Sequence, residues 1–391
     1  MATSKLSPIE IGERLRLARE AAGITQAEAA SSADIARTTL VAVEKGQRSA
    51  KIKELQKLAK SYNISTNSLL RLEAIQVELL PQFRKMSKCV EGASIDAAVL
   101  LQNLVKAEVE LESLLGISKE ANYPPERQLL TGNIILQAES NAAELRHWLG
   151  LGESPIRDIV TLMEMELGIR VYIRKLDSNV SGLFAFDPQV GACILLNASH
   201  PIERRNQSAG HELGHFMSTR NSPEILFENE KSLPREERYA NAFGRAFLTP
   251  ARAVTKHFKD VTAGANSLTR RHVITLAHIF NVSREAIVRR LEELELTKKG
   301  TWDWFSANGG ITNDQAAQVL GDLAQVDQQK LESKLPTTLK LSRLATEAWK
   351  QEIFSEGQLA KLLYLSRHEI RLMLDESQSG GSENGVPKSF S

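Results

Sequence analysis

The sequence predicts a mostly α-helical fold with one small β-sheet. Apolar residues recur at helical spacing along most of the chain, aromatic residues make up only 5% of it, and β-rich runs are confined to residues 155–200. In that stretch 170–174, 182–186 and 192–197 are short apolar runs separated by Asp, Ser, Asn, Gly and Pro. At 391 residues the chain is long enough for two or three folding units.

Apolar residues at 42% and charged residues at 25% are ordinary globular values, which excludes wholesale disorder, collagen-like repeats and a disulfide-stapled miniature. The formal charge of +1 excludes a protein that is basic all over. Cys89 and Cys193 lie far apart in no ligand-like spacing, as expected of reduced thiols in a cytosolic protein. Met-Ala-Thr-Ser-Lys leads into an amphipathic stretch and not into an apolar signal core, and no run approaches the ~20 apolar residues of a membrane helix. The expectation is a cytoplasmic protein with no membrane partner.

Residues 8–74 read as a compact set of short helices. Leu15, Leu17, Ala18, Ala21 and Ala22 stripe a first helix that stops at Gly23. Thr25 and Glu28 stand in capping-box spacing at the start of the next, a turn around Asp34–Ala36 follows, and a further helix runs from Arg37 to Gly46. Two short helices joined by a tight turn are the unit that presents a helix to the DNA major groove. Residues 9–71 resemble the Xre/lambda-repressor-like helix-turn-helix family through the Thr-Gln opening at 25–26, the Glu-Lys-Gly close at 44–46 and Arg48 behind it.

That resemblance implies a five-helix domain bound to double-stranded operator DNA, working as a homodimer on palindromic sites. It implies that Arg37 and Thr38 read bases and that Gln26 touches phosphate, with Arg48 in the same DNA-facing set. Residues 36–60 hold 7 basic and 2 acidic side chains, the composition of a salt-sensitive phosphate-binding patch. The pattern departs from the family at Val41 and Ala42, where members commonly carry polar reading groups and where apolar side chains reach only a thymine methyl. A helix-turn-helix used for protein contact or dimerisation stays open as the other reading.

Residues 75–153 read as a helical connector with a break at Pro124-Pro125. The most informative residues follow, His211-Glu212-Leu213-Gly214-His215. Positions i and i+4 share a helix face, so two imidazoles there can ligate one Zn²⁺, and Glu212 can take a proton from a water that the ion acidifies. Five residues alone also fit a coincidental helix with two surface histidines. A catalytic zinc needs a third protein ligand, and the helical segment 234–250 supplies carboxylates at Glu236 and Glu237.

From about Ser154 to Pro250 the chain resembles the ImmA/IrrE family of zinc metallopeptidases. The resemblance rests on 191–205, on Ala209-Gly-His-Glu-Leu-Gly-His-Phe and on Ala240-Asn-Ala-Phe with Leu-Thr-Pro behind it. It implies a central α+β zincin-like peptidase core at 154–252. Several members carry Glu directly before the Ala-Asn pair, where this chain has Tyr239. Others place it four residues before the Asn, which is Glu237. The resemblance then implies metal ligands His211, His215 and Glu237, Asn241 supporting a ligand histidine, and Glu212 as the catalytic base, in a gluzincin-like arrangement with Glu236 as the alternative ligand. In the family a strand like the one at 193–197 borders the cleft, where an extended peptide can pair with it. His200 is read as a loop-capping histidine, with oxyanion stabilisation as the other reading.

Residues 253–305 form a helix-turn-helix-like subdomain, with the turn at Asn281-Val282-Ser283 and Ser283 as cap. Residues 306–376 form a helical region in which 355–374 repeats the pattern with Ser366 as cap, and packing or dimerisation is preferred for both over extra DNA contact. The cluster Trp302, Trp304, Phe305 reads as an aromatic anchor, and 377–391, rich in Ser and Gly, as a disordered tail. The functional expectation is a DNA-binding regulator with a zinc-dependent endopeptidase domain. It would cut a partner regulator protein at a specific site in a stress, mobile-element or toxin–antitoxin-like circuit. The alternative is a non-catalytic repressor whose peptidase-like domain senses metal or binds a partner protein.

Overall fold

The computed structural model describes residues 6–62, 64, 66–70, 79, 92–117, 121–220, 224–227, 234–321 and 337–378. It divides into two compact units, Met1–Gln76 and Val77–Ser391. Among the described residues no helix is long and apolar enough to cross a membrane.

Among its described residues the first unit has five helices, α1 (Pro8–Ala21), α2 (Gln26–Ala33), α3 (Arg37–Glu44), α4 (Ile52–Ser61) and α5 (Thr66–Leu70). The expected capping box is present, with the Thr25 hydroxyl accepting from the Glu28 N–H and the Glu28 carboxylate accepting from the Thr25 N–H. Such caps contribute about 1 kcal/mol each. The turn between α2 and α3 is made by Asp34 at φ 58°, a left-handed conformation that Asp tolerates. Gly46 stops α3 at φ 68°, and a Cβ there would lie 2.5 Å from Ile9 Cα, so this helix end closes directly on α1. Leu15, Leu40, Leu55, Leu58 and Tyr62 fill the core between the helices.

The second unit is built around a four-stranded sheet of β1 (Arg170–Arg174), β2 (Val180–Asp187), β3 (Gly191–Asn197) and β4 (Glu224–Phe227), in the order β1-β3-β2-β4. β1 runs parallel to β3, and β2 runs antiparallel to both β3 and β4. The helices are α6 (Ala93–Leu114), α7 (Ile134–Trp148), α8 (Ile159–Met165), α9 (Ile202–Ser218), α10 (Arg235–Leu248), α11 (Ala251–Val261), α12 (Arg270–Phe280), α13 (Arg284–Glu293), α14 (Thr301–Ala307), α15 (Asn313–Leu320), α16 (Leu339–Lys350), α17 (Glu356–Leu362) and α18 (Arg367–Gln378). The fold is mostly α with a small sheet.

Strand side chains alternate between two cores. Val171, Phe184, Ile194 and Leu196 face a core shared with α7–α14, whereas Tyr172, Leu183, Ala185 and Leu195 face a core shared with α6 and α16–α18. Both faces are covered, which is why the strands read as near-continuous apolar runs. The second layer is pinned by a buried charge cluster. Arg170 on β1 donates to Glu108 and Glu112 on α6, and the Lys340 ammonium on α16 bonds both carboxylates. Burial alone would raise the Glu108 carboxyl, but the charges of Arg170 and Lys340 prevail and hold it at about 2.

Several expectations change here. The boundary placed at 252 falls inside α11 and the one at 305 inside α14, because both helices belong to the core they were expected to leave. The region 306–376 contributes α16–α18 to the sheet's second core. α18 runs to Gln378, two residues into the tail expected from 377, and 379–391 lie outside the described residues, as does Cys89. Cys193 is buried in the second core and is not in a disulfide.

Candidate metal centre

Helices α9 and α10 cross at glycines. A Cβ on Gly244 would lie 2.6 Å from the Gly210 carbonyl carbon, and one on Gly214 would lie 2.7 Å from Ala240 Cα. The pairs 210/244 and 214/240 make the helices antiparallel. With nothing larger than the Ala240 methyl at the crossing the backbones touch, and this brings the first turn of α10 level with the last turns of α9.

At that level three side chains converge. His211 Nε2 and His215 Nε2 are 3.0 Å apart. Glu237 Oε2 lies 3.3 Å from the former and Glu237 Oε1 lies 3.1 Å from the latter. Glu236, one residue earlier on α10, is only half-buried and is not part of this group. A tetrahedral zinc with bonds of 2.0–2.1 Å separates its ligand atoms by roughly 3.3 Å, so the observed spacing fits such an ion. The chemistry of the set fits too, since two neutral imidazoles and one carboxylate are hydrolytic-zinc donors. Burial first of all pushes His215 toward its neutral form. For Glu237 burial acts upward, but the two histidines outweigh it and hold the carboxyl well below the usual range.

The outer ring nitrogens are also engaged. Asn241 Oδ1 is 3.0 Å from His211 Nδ1, and Thr219 Oγ1 is 3.1 Å from His215 Nδ1. Glu212 is fully buried, and its Oε1 lies 2.7 Å from where a Cβ on Gly182 of β2 would be. The carboxylate therefore rests against a strand at a point that carries no side chain. Tyr239 points the other way, fully buried, with its hydroxyl accepting from Asn141 Nδ2 at 2.7 Å. It is a core residue, so the departure at this position leaves the cluster of His211, His215 and Glu237 intact. His200 is buried in the turn between β3 and α9, where its N–H donates to the Asn197 carbonyl, and it lies outside the cluster.

The strand at 193–197 is not an edge. β3 is paired on both sides, by β1 and β2, so no peptide can add to it. Among the described residues the edge on the Gly182 side is β4, a strand of four residues that the sequence pattern did not reveal.

In the first unit Arg37 and Thr38 are exposed at the start of α3, whose N-cap Ala36 offers no side-chain hydrogen bond. Gln26 is half-buried and its amide donates to Glu44, which Arg19 also holds. Arg48 is paired with Glu54 at 2.9 Å and keeps about a third of its side chain exposed. In contrast, the arginines of α13 are consumed within the unit. Arg289 pairs with Asp303, and Arg290 is buried against Glu139 and the Thr249 carbonyl. Arg284 donates to the Ile311 carbonyl and to Asn313. That helix is built for packing.

Two of the residues around the centre were missed by sequence reasoning. Thr219 is four residues after His215, the spacing that shares a helix face, so its position carried a signal. Gly182 carried none, because only the tertiary fold brings it to Glu212.

Residues 164–292 match the family model described as an IrrE N-terminal-like domain, which is a peptidase family, and residues 15–69 match a helix-turn-helix family model. The chain thus joins a helix-turn-helix domain of the Xre type to a domain of the ImmA/IrrE type. No curated protein matches it. Among solved structures, the crystal structure of ComR from Streptococcus suis matches at 10% identity over 96% of each chain with a TM-score of 0.16, too low to carry an argument.

Proposed function

We propose that this chain, a DNA-binding regulator with a peptidase-like domain, is a zinc-dependent endopeptidase that cuts a partner regulator protein. The observation that carries the reading is the convergence of His211, His215 and Glu237 at ligand spacing beside a buried Glu212. His211, His215 and Glu237 would hold the metal, with Asn241 orienting His211. What a bound zinc supplies at this place is Lewis acidity toward a scissile carbonyl and toward a water. Glu212, one residue from His211 and seated against Gly182, would take a proton from the attacking water and pass it to the leaving amine. A substrate segment in extended form adds to β4, an edge strand among the described residues, so that main-chain hydrogen bonds hold it one strand out from β2.

The helix-turn-helix unit supports action at DNA. Arg37 and Thr38 read bases, and two copies of the chain bind a palindromic operator. Carrying reader and peptidase on one chain raises the concentration of peptidase near a DNA-bound substrate. The partner is a regulator in a stress, mobile-element or toxin–antitoxin-like circuit in the cytoplasm. The test compares new protein N-termini in cells making the wild type or Glu212→Gln. One defined cleavage that depends on Glu212 supports the peptidase. The same cleavage in the variant removes it, as does none in either.

A further inference from the structure

The two imidazoles are oriented by different means. His211 is met by Asn241 from the opposite helix. His215 is met by the residue that ends its own helix. Thr219 caps α9 at φ −134° and ψ 41°, with its N–H donating to the His215 carbonyl at 2.8 Å. Its Oγ1 then reaches both that carbonyl, at 3.5 Å, and the ring Nδ1, at 3.1 Å. The carbonyl can only accept. A hydroxyl has one proton, so when Thr219 donates to the carbonyl it must accept from the ring, and His215 carries its proton on Nδ1. The hydrogen bond at one ring nitrogen sets the state of the other. Nε2 is then a bare lone pair, and it is the atom that faces Glu237 and His211 Nε2 at 3.1 and 3.0 Å.

We infer that Thr219 is a positioning residue for His215, fixing the tautomer and ring angle that direct Nε2 into the centre. This rests on the reading of His211, His215 and Glu237 as metal ligands, but the tautomer can be read without a metal. α9 ends at Thr219 because its backbone leaves the helical region there, and the same departure swings the hydroxyl back over the ring of the preceding turn. The positioning group is therefore encoded within nine residues, His211 to Thr219.

The test uses the full chain labelled with ¹⁵N-histidine and stripped of metal by a chelator, as wild type, Thr219→Val, Thr219→Ala and Thr219→Ser. Ring nitrogen shifts report the His215 tautomer, and competition against a chelating dye reports zinc affinity. Wild type and Thr219→Ser are expected to hold the proton on Nδ1. Thr219→Val, which keeps the shape and lacks the hydroxyl, is expected to lose that preference and to bind zinc about 10–100-fold more weakly. Thr219→Ala gives the same comparison should Val perturb the helix end. An unchanged tautomer in both Val and Ala variants overturns the inference whatever their zinc affinity. If wild type takes up no zinc while the tautomer still depends on the hydroxyl, Thr219 keeps its role and the metal reading falls.

Discussion

Replacing Gly214 by alanine tests the link between the helix crossing and the centre. The added Cβ would lie 2.7 Å from Ala240 Cα and 3.1 Å from its Cβ and carbonyl oxygen. Carbon atoms rest at about 3.5 Å or more, so α9 and α10 must part by roughly 0.8 Å. The obstructing atom is backbone, and no side-chain rotation relieves it. Overpacking of this kind costs about 1–3 kcal/mol, offset by the roughly 0.5–1 kcal/mol that alanine gains over glycine inside a helix. The net expectation is a loss of up to about 2.5 kcal/mol. The consequence for metal is larger, because His215 is on one helix and Glu237 on the other and metal sites tolerate displacements of only about 0.2 Å. Zinc affinity should fall at least about tenfold. Urea unfolding measures the first effect and chelator competition the second, with Gln207→Ala, on the exposed side of α9, as the control. A Gly214→Ala chain with the stability and zinc affinity of wild type would refute the reasoning.

Other outcomes follow from the same geometry. Gly182→Ala, whose Cβ would stand 2.7 Å from Glu212 Oε1, should lower cleavage while zinc content stays at the wild-type level. Arg37→Ala should cost about 1–3 kcal/mol at the operator and relax base preference at one position, measured by DNA titration at several salt concentrations. Burial first, then the charge of Glu108, lifts the Glu164 carboxyl to about 7, with the Lys340 N–H among the groups opposing it. The folded chain holds that proton more tightly than the unfolded one. Its contribution is therefore complete below about pH 4.5 and fades as pH rises through about 7. Glu164→Gln, which stays neutral, should flatten that fall in unfolding measured across the same range.

Local patterns in the sequence carried much of the architecture. The Thr25–Glu28 box, the glycine stops and the i, i+4 histidines are short-range signals, and each is present as a local structure. The choice between Glu236 and Glu237 was not local. It depended on family spacing, and the structure puts Glu237 in the cluster because the crossing at Gly214 and Ala240 rotates that side of α10 inward. What stayed hidden was tertiary. Nothing in residues 182 or 224–227 announces a seat for Glu212 or an edge strand, and the order β1-β3-β2-β4 puts β3 inside the sheet and makes β4 an edge among the described residues. The C-terminal helices looked separate because their apolar faces give period without partner. They close the second face of the sheet, locked by Lys340 on Glu108 and Glu112.

The central claim is that His211, His215 and Glu237 form one zinc site. Zinc per chain, measured by mass spectrometry on purified full-length protein, tests it most directly. The account predicts one equivalent in wild type and in Glu212→Gln, and a loss of that equivalent in Glu237→Ala with the fold retained. Zinc absent from wild type, or held equally by Glu237→Ala, would contradict it.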